Sequence, residues 1–540
     1  MGLVGLAGMS SIAGCGGQSD TPETTEGSGD TTTAEGTTEA TTAEPGMLPE
    51  GGHLKLASAS IPPELIPLNG DSVVQYRLYD LIYAKMTKID ADGTVQPHMA
   101  TDWEANDDAT QWTFQLREGV TFTTLDKEML AEDVKATIDI IQNEDVIPGA
   151  AGTIGPIESV DIVNDYAVQI NYDKPWSPAP AHLTARFGNI CPKEILDDDP
   201  EMMRATDYGT GPFNVDEYQP GERLSMVKNP NYYAEDEHGR QLPLVDRLTA
   251  RKISEGRQRL NAVREGTANL FFKVSPTEYQ DAKDMDGVVR VMGVENEWYG
   301  VTMPCGMEPF DDVRVRKALK YAMDKNQQLQ IAKNGFGSIA ANHPIAPAYN
   351  IAPEITDDPF GPEAKPEKAK DLLDDAGYPD GLDLGTYHYS ATSKPSAERH
   401  AQIWQKNAAN AGIEFDLQKV TRDQWLGEYW NDPQEYYWTS WSIKFPTMNM
   451  LQLAVHSEGP WNDAYFKNDE VDSLIEEAAE SPDPDKRTSL VKDALQIVHE
   501  EGGWVIPFFE AGLILHRESL KNFRPSPNAY ILVEELAVEE

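Results

Sequence analysis

The sequence predicts an α/β protein built of more than one lobe, and three observations carry that reading. The chain has 540 residues, more than one hydrophobic core usually serves, and its 40% hydrophobic content is ample to fill several. The first half alternates as strands do: Trp112, Phe114 and Leu116 stand against polar neighbours, and Val160, Ile162, Val168 and Ile170 flank an Asn164-Asp165 turn. The second half carries apolar stripes at helical spacing: Val315, Ala318, Leu319, Ala322 and Met323, then Val471, Leu474, Ile475 and Ala478, then Val491, Ala494, Leu495 and Val498. Between the first two stripes Ile413, Phe415 and Leu417 alternate as a strand, so the mixture points to α/β lobes and not to a bundle or a sandwich. Stripes of this kind are core, and no ligand role falls on them.

From the N-terminus, residues 2–12 form a short apolar and small-residue run that ends in Ile12-Ala13-Gly14-Cys15, followed by two glycines. The run is too short to span a bilayer. It looks like a signal peptide with a lipobox, residues 1–15, in which Cys15 becomes lipidated after cleavage. No Lys or Arg precedes it, a departure that points to a true start elsewhere. Residues 16–50 are Thr, Glu, Gly, Ala and Ser with hardly a hydrophobic side chain, so burial cannot offset the entropy of ordering them. A disordered stalk between a lipid anchor and a folded body is expected. The remaining thiols, Cys191 and Cys305, fit either a disulfide or two free cysteines.

In the body, Gly209 to Tyr233 (GTGPFNVDEYQPGERLSMVKNPNYY) reads as a hairpin. Phe213, Val215 and Tyr218 lie in its first strand, Gln219-Pro220-Gly221-Glu222 places Pro and Gly where a type II turn needs them, and Leu224 to Val227 return. Other elements follow in order: Val95 to Glu104, the strand Trp112 to Arg117, a helix start at Ala131-Glu132-Asp133-Val134, then EPFDDVRVRKALKYAMDK (Glu308 to Lys325) and AKDLLDDAGYPDGLDL (Ala369 to Leu384). In this order they resemble the substrate-binding proteins of peptide and nickel ABC transporters, family 5. Thr123 to Lys127 depart from the family's usual histidine-aspartate-glycine turn. The resemblance implies a type II periplasmic-binding protein fold with two lobes, a hinge and an extra domain, the three-domain arrangement called cluster C. It places a first lobe in residues 51–79, 196–300 and 501–540, the extra domain in 80–195 and the second lobe in 301–500, with a hinge crossing near Val301 and Glu501. It also implies an extracytoplasmic protein that captures a small organic ligand, closes over it and passes it to an ABC permease, working as a monomer without a cofactor.

Charge narrows the partners. With 90 acidic against 45 basic residues the formal charge is −45, which repels nucleic acid and anionic membrane surfaces and leaves a lipid anchor as the membrane contact. At molar salt the Debye length falls to about 3 Å and such self-repulsion is screened. The surface is therefore expected to be salt-adapted, from a haloarchaeon, the alternative being an ordinary acidic extracellular protein. No phosphate loop, zinc helix or Gly-x-Ser-x-Gly turn is present in the sequence. Among ten scattered histidines only His388 and His400 could approach one another within the second lobe, and solvated or core histidines are the expectation. Asp90-Ala91-Asp92-Gly93 superficially opens a calcium loop, but Thr101 stands where the bidentate acid belongs, so a hairpin turn is expected.

The densest aromatic cluster, Trp425, Tyr429, Trp430, Tyr436, Tyr437, Trp438 and Trp441, lies in the second-lobe region. In dipeptide-binding relatives the loop after a Gly-Trp pair holds an aspartate for the ligand's amino group, and an arginine some way upstream holds its carboxylate. Those places fall here on Lys444 and Ala391. A lysine would repel an ammonium group, so the resemblance implies an anionic or neutral ligand, a sugar, an oligosaccharide or a blocked or longer peptide, with tryptophans stacking on its apolar faces; the alternative is that Lys444 pairs with one of the nearby acids. The ligand-facing set is Trp441, Lys444, Phe445, Trp438, Tyr389 and Ala391, joined more loosely by Trp298, Tyr299 and Ser60. Two other classes compete: a secreted hydrolase acting on a sugar or peptide, and a sensor that presents its closed form to a receptor.

Overall fold

The computed structural model describes residues 47–69, 73–90, 94–147, 150–347, 349, 351–355, 358–391, 394, 396–441, 446–524 and 533–539. Cys15, the expected stalk up to residue 46, residues 91–93 of the expected turn, Lys444 and Phe445 lie outside them. Residues 48–540 form one compact unit.

Its spine is an eleven-stranded sheet. In spatial order the strands are Phe213–Gln219, Arg223–Lys228, Arg247–Lys252, His53–Ser58, Leu270–Phe271, Trp504–Arg517, Val288–Thr302, Tyr437–Trp441, Leu382–Tyr389 and Ile413–Lys419, with Gly337–Ile339 pairing on Trp504–Arg517. The expected hairpin is there: Phe213 to Gln219 pair antiparallel with Arg223 to Lys228, Gly221 has φ 69°, and the Glu222 N–H donates to the Gln219 carbonyl at 3.0 Å. A positive φ at the third turn residue is what the Gly supplies. The helical stripes form Val313–Ala322, Asp469–Glu480 and Pro484–Glu501.

Two long strands tie the lobes together. Val288–Thr302 and Trp504–Arg517 run antiparallel from Val288↔Arg517 to Thr302↔Trp504, and their register shifts on both sides of Trp298 and Tyr299. Glu501, expected at the crossing, is instead the last residue of a helix, and the strand starts at Trp504. Gly300 sits at that break. A Cβ there would lie 2.7 Å from the Val505 carbonyl and 3.0 Å from the Trp298 ring, so only glycine lets the two strands approach.

The extra domain carries its own four-stranded sheet, Ala100–Ala105, Gln111–Leu116, Ala167–Tyr172 and Ile157–Asn164. Of the alternating residues here Val160, Val168 and Ile170 are buried, whereas Ile162 is exposed on the edge strand beside a register shift. This domain touches the second lobe. The Ser177 N–H donates to the Ala479 carbonyl at 2.8 Å, and Asn449 Nδ2 donates to the Thr153 carbonyl at 3.0 Å. Cys191 and Cys305 are both free thiols, and burial pushes both up in pKa.

The motif Glu308 to Lys325 turns out to secure one helix end. Arg316 Nε donates to the Glu501 carbonyl at 2.8 Å and Lys320 Nζ to the His499 carbonyl at 2.9 Å. Carbonyls in the last turn of a helix have no partner within it; the Arg316 guanidinium satisfies one and the helix dipole together, while the Lys320 amine, which burial and the neighbouring Arg316 push well below its ordinary pKa, donates to another. The helix so capped leads directly into the hinge strand at Trp504.

Candidate functional site

Where the hinge strands change register, five charged side chains from separate segments converge on Tyr299. Lys333 closes the helix Lys325–Lys333, and Asn334 then turns out of it with φ 53°. Lys333 Nζ donates to the Tyr299 hydroxyl at 3.0 Å and lies 2.7 Å from a Glu510 carboxylate oxygen. Glu297, two residues before Tyr299, takes Lys273 at 3.2 Å and Lys394 in a closer contact. Lys394 Nζ also stands 5.7 Å from the centre of the Tyr299 ring. These groups, with Phe336, Ser396 and the stretch 511–513, line a cavity of about 310 Å³.

Its electrostatics differ from those of the rest of the molecule. Three lysines face two carboxylates, a local excess of one positive charge in a chain whose formal charge is −45. Burial pushes the Glu510 carboxyl up, but Lys333 and Lys394 outweigh it and hold the group below its ordinary value. Glu510 pairs with Lys333, and Glu297 with Lys273 and Lys394. Lys273 has φ 52°, a left-handed backbone that a non-glycine residue adopts only where its surroundings impose it, and such strain gathers at functional sites. The cavity can exchange ion pairs: an incoming carboxylate can take over a lysine, and an incoming cation a glutamate.

The sequence-predicted residues are placed as follows. Tyr299 is in the cavity wall. Trp298, on the opposite face of the strand, is fully buried with its ring centre 5.7 Å from that of Trp504. Strand pairing puts Trp298 beside Trp441 and Val301 beside Trp438. Trp438 is buried, its ring centre 5.6 Å from that of Tyr299 and 5.6 Å from that of Trp425. Trp441 is buried too, with its ring centre 6.2 Å from that of Trp430. Tyr389 is buried at the end of its strand and Ala391 packs half-buried after it. Ser60 is half-buried and its carbonyl accepts from Ser58 Oγ at 2.6 Å. His388 stacks on Tyr429 with centres 4.0 Å apart, while His400 is buried in the helix Ala397–Asn410. Among the described residues no three His, Cys, Asp or Glu side chains are grouped to hold a metal ion.

Two features were not foreseen. The first is the lysine–glutamate set itself, whose members are scattered along the chain; its one local signal is Glu510 within the apolar run Trp504 to Leu515. The second is Asp463. This buried carboxylate accepts from Trp504 Nε1 at 2.8 Å, Thr439 Oγ1 at 2.9 Å and Trp441 Nε1 at 3.3 Å, and so ties the hinge strand to the strand that ends at Trp441. Burial raises its pKa to about 6, because its donors are neutral.

Known proteins share this architecture. The chain is 24% identical over 480 residues to the glutathione-binding protein GsiB of Salmonella typhi, covering 86% of this chain and 90% of that protein. It is 28% identical over 492 residues to heme-binding protein A of Haemophilus influenzae, covering 83% and 85%. The periplasmic binding protein DppA from Helicobacter pylori, solved with the peptide STSA, superposes with a TM-score of 0.75 at 22% identity, over 91% of this chain and 99% of that one. The sequence model of bacterial extracellular solute-binding proteins, family 5, matches residues 94–462, more than half of the chain, and with the two-lobed α/β fold and its extra domain this makes the protein a member of that family.

Proposed function

We propose that this protein is the capture component of an ABC importer, held at the outer face of the cell membrane by a lipid on Cys15, and that it binds a small organic ligand carrying at least one carboxylate. The observation that supports this most is the convergence of Lys273, Lys333 and Lys394 with Glu297 and Glu510 around Tyr299 at the hinge. A peptide-like guest suits it, since a carboxylate end and a donor end can each replace one internal ion pair. The relatives bind chemically related guests: glutathione in GsiB, a four-residue peptide in DppA. Lobe closure would involve the segments 51–79, 196–300 and 501–540 on one side and 301–500 on the other, with 80–195 docking through Ser177. The acidic surface suits a haloarchaeal, high-salt setting.

Capture without chemistry has a direct test. A carboxylate-bearing peptide library is screened by thermal unfolding in molar NaCl, and a hit is recovered from the protein and weighed. A ligand at a hundredfold excess over its Kd adds about 2.7 kcal/mol of stability. Recovery of the ligand unchanged, one per chain, supports the reading; steady conversion of it contradicts the reading and favours a hydrolase.

A further inference from the structure

A second cavity, of about 160 Å³, lies between the strand His53–Ser58 and the stretch 77–89. We propose that it is a second compartment of the same site and takes a ring-sized apolar group of the guest whose carboxylate sits among the lysines. The assignment rests on the function proposed above. Three observations carry it.

First, Lys273 lines both cavities, so the apolar compartment adjoins the charged one at a residue whose backbone is held in the left-handed region. Second, the walls are Leu54, Leu56, Leu81, Leu248, Leu270 and Phe272, a surface that offers a guest contact area but few hydrogen bonds. Protein interiors leave few voids larger than a water, and an apolar cavity of roughly 150 Å³ stays dry and accepts benzene. The volume here matches one six-membered ring. Third, the charged groups at its polar end are engaged: Lys85 lies 2.8 Å from Asp80, Lys88 lies 2.6 Å from Glu534, and the Arg77 guanidinium stands 5.1 Å from the centre of the Phe272 ring. With Lys85 and Lys88 ion-paired and Arg77 against a ring, what remains for a guest is the apolar wall and the buried His98 Nδ1, and the cation shared with the charged cavity, which reaches the guest's anionic end, is Lys273.

Benzene and 3-phenylpropionate are the probes, with propionate as control, read by saturation-transfer NMR and calorimetry on the whole protein in molar NaCl. Leu56→Trp and the milder Leu56→Phe fill the compartment. Wild-type protein is expected to bind benzene saturably, to release it when 3-phenylpropionate is added, and to bind 3-phenylpropionate at least tenfold more tightly than propionate. Either filling variant that folds is expected to lose benzene and to bring the two acids together. Benzene that fails to bind wild type, or that persists in both variants, overturns the compartment. If benzene is displaced by 3-phenylpropionate but Lys273→Asn, a residue that tolerates the left-handed backbone at this position, leaves the acid's affinity unchanged, the compartment stands and the charged-cavity reading of the function falls.

Discussion

Lys333 and Glu510 face each other at 2.7 Å beside the Tyr299 hydroxyl, one at the end of a second-lobe helix and the other midway along a hinge strand. Ion pairs buried to this degree gain little for stability, because desolvation consumes most of the Coulomb energy. Their retention at a hinge therefore suggests use, and the arrangement makes separable predictions about folding and binding.

Glu510→Ala should destabilise the protein by about 3–5 kcal/mol, since it strands a desolvated ammonium group. The double variant Lys333→Met/Glu510→Leu removes both charges and should recover most of that loss, yet bind the ligand at least tenfold more weakly. Chemical denaturation and calorimetry at the same salt concentration check the two halves. A double variant as unstable as the single one would show that the pair is structural.

Acid should stabilise through Asp463. Its native pKa is about 6, above the ~3.9 of an unfolded aspartate, so between those values the native state holds more protons than the unfolded state. Stability from this group therefore falls as pH rises through the window of about 4 to 6, and at about 1.4 kcal/mol per unit the swing is ~2–3 kcal/mol. Asp207 is raised to about 6 as well and is unaffected by a change at 463. Asp463→Asn should lose stability relative to wild type at pH 4 and regain ~2–3 kcal/mol of that difference by pH 7. Urea denaturation of both proteins across this range gives the answer, and a constant difference would rule the assignment out.

Arg316→Ala should cost about 3 kcal/mol, because the Phe310 and Glu501 carbonyls each lose a charged donor. The neighbouring Arg314 lies on the outer face with Asp312, and its replacement by Ala should leave the unfolding midpoint where it is. Equal effects at the two positions, measured by thermal unfolding, would remove the helix-capping role.

Salt should raise the unfolding midpoint steadily from 0.1 M to molar NaCl, since 90 acids against 45 bases repel one another until the screening length shrinks to a few ångströms. A midpoint that is flat or falling over this range would show that surface repulsion does not limit the fold.

How much of this was legible in the sequence depends on range. The Gly209 to Tyr233 hairpin was readable because Pro220 and Gly221 encode its turn locally, and the helical stripes because burial of one face has a period. Of the two residues expected at the crossing, Val301 lies in a long strand, whereas Glu501 still belongs to a helix and the partner strand starts at Trp504. The motif around Arg316 and Lys320 could be recognised but not explained: the carbonyls that give it its helix-capping role lie some 180 positions away. The charged cavity was illegible for the same reason. Lys273, Glu297, Lys333, Lys394 and Glu510 carry no shared spacing, and in so acidic a chain two more glutamates convey nothing until the fold brings three lysines to them. Aromatic density drew attention to Trp438 and Trp441, which the fold buries because large rings fill cores.

The central claim is that the lysine–glutamate cavity holds one guest and releases it unaltered. Native mass spectrometry of protein purified in molar salt tests it most directly, comparing wild type with Lys333→Ala/Lys394→Ala. The account predicts one small molecule per wild-type chain, set free at its original mass, and none on the folded double variant. Equal occupancy of the two proteins, or a released mass that differs from that of the compound supplied, would contradict it.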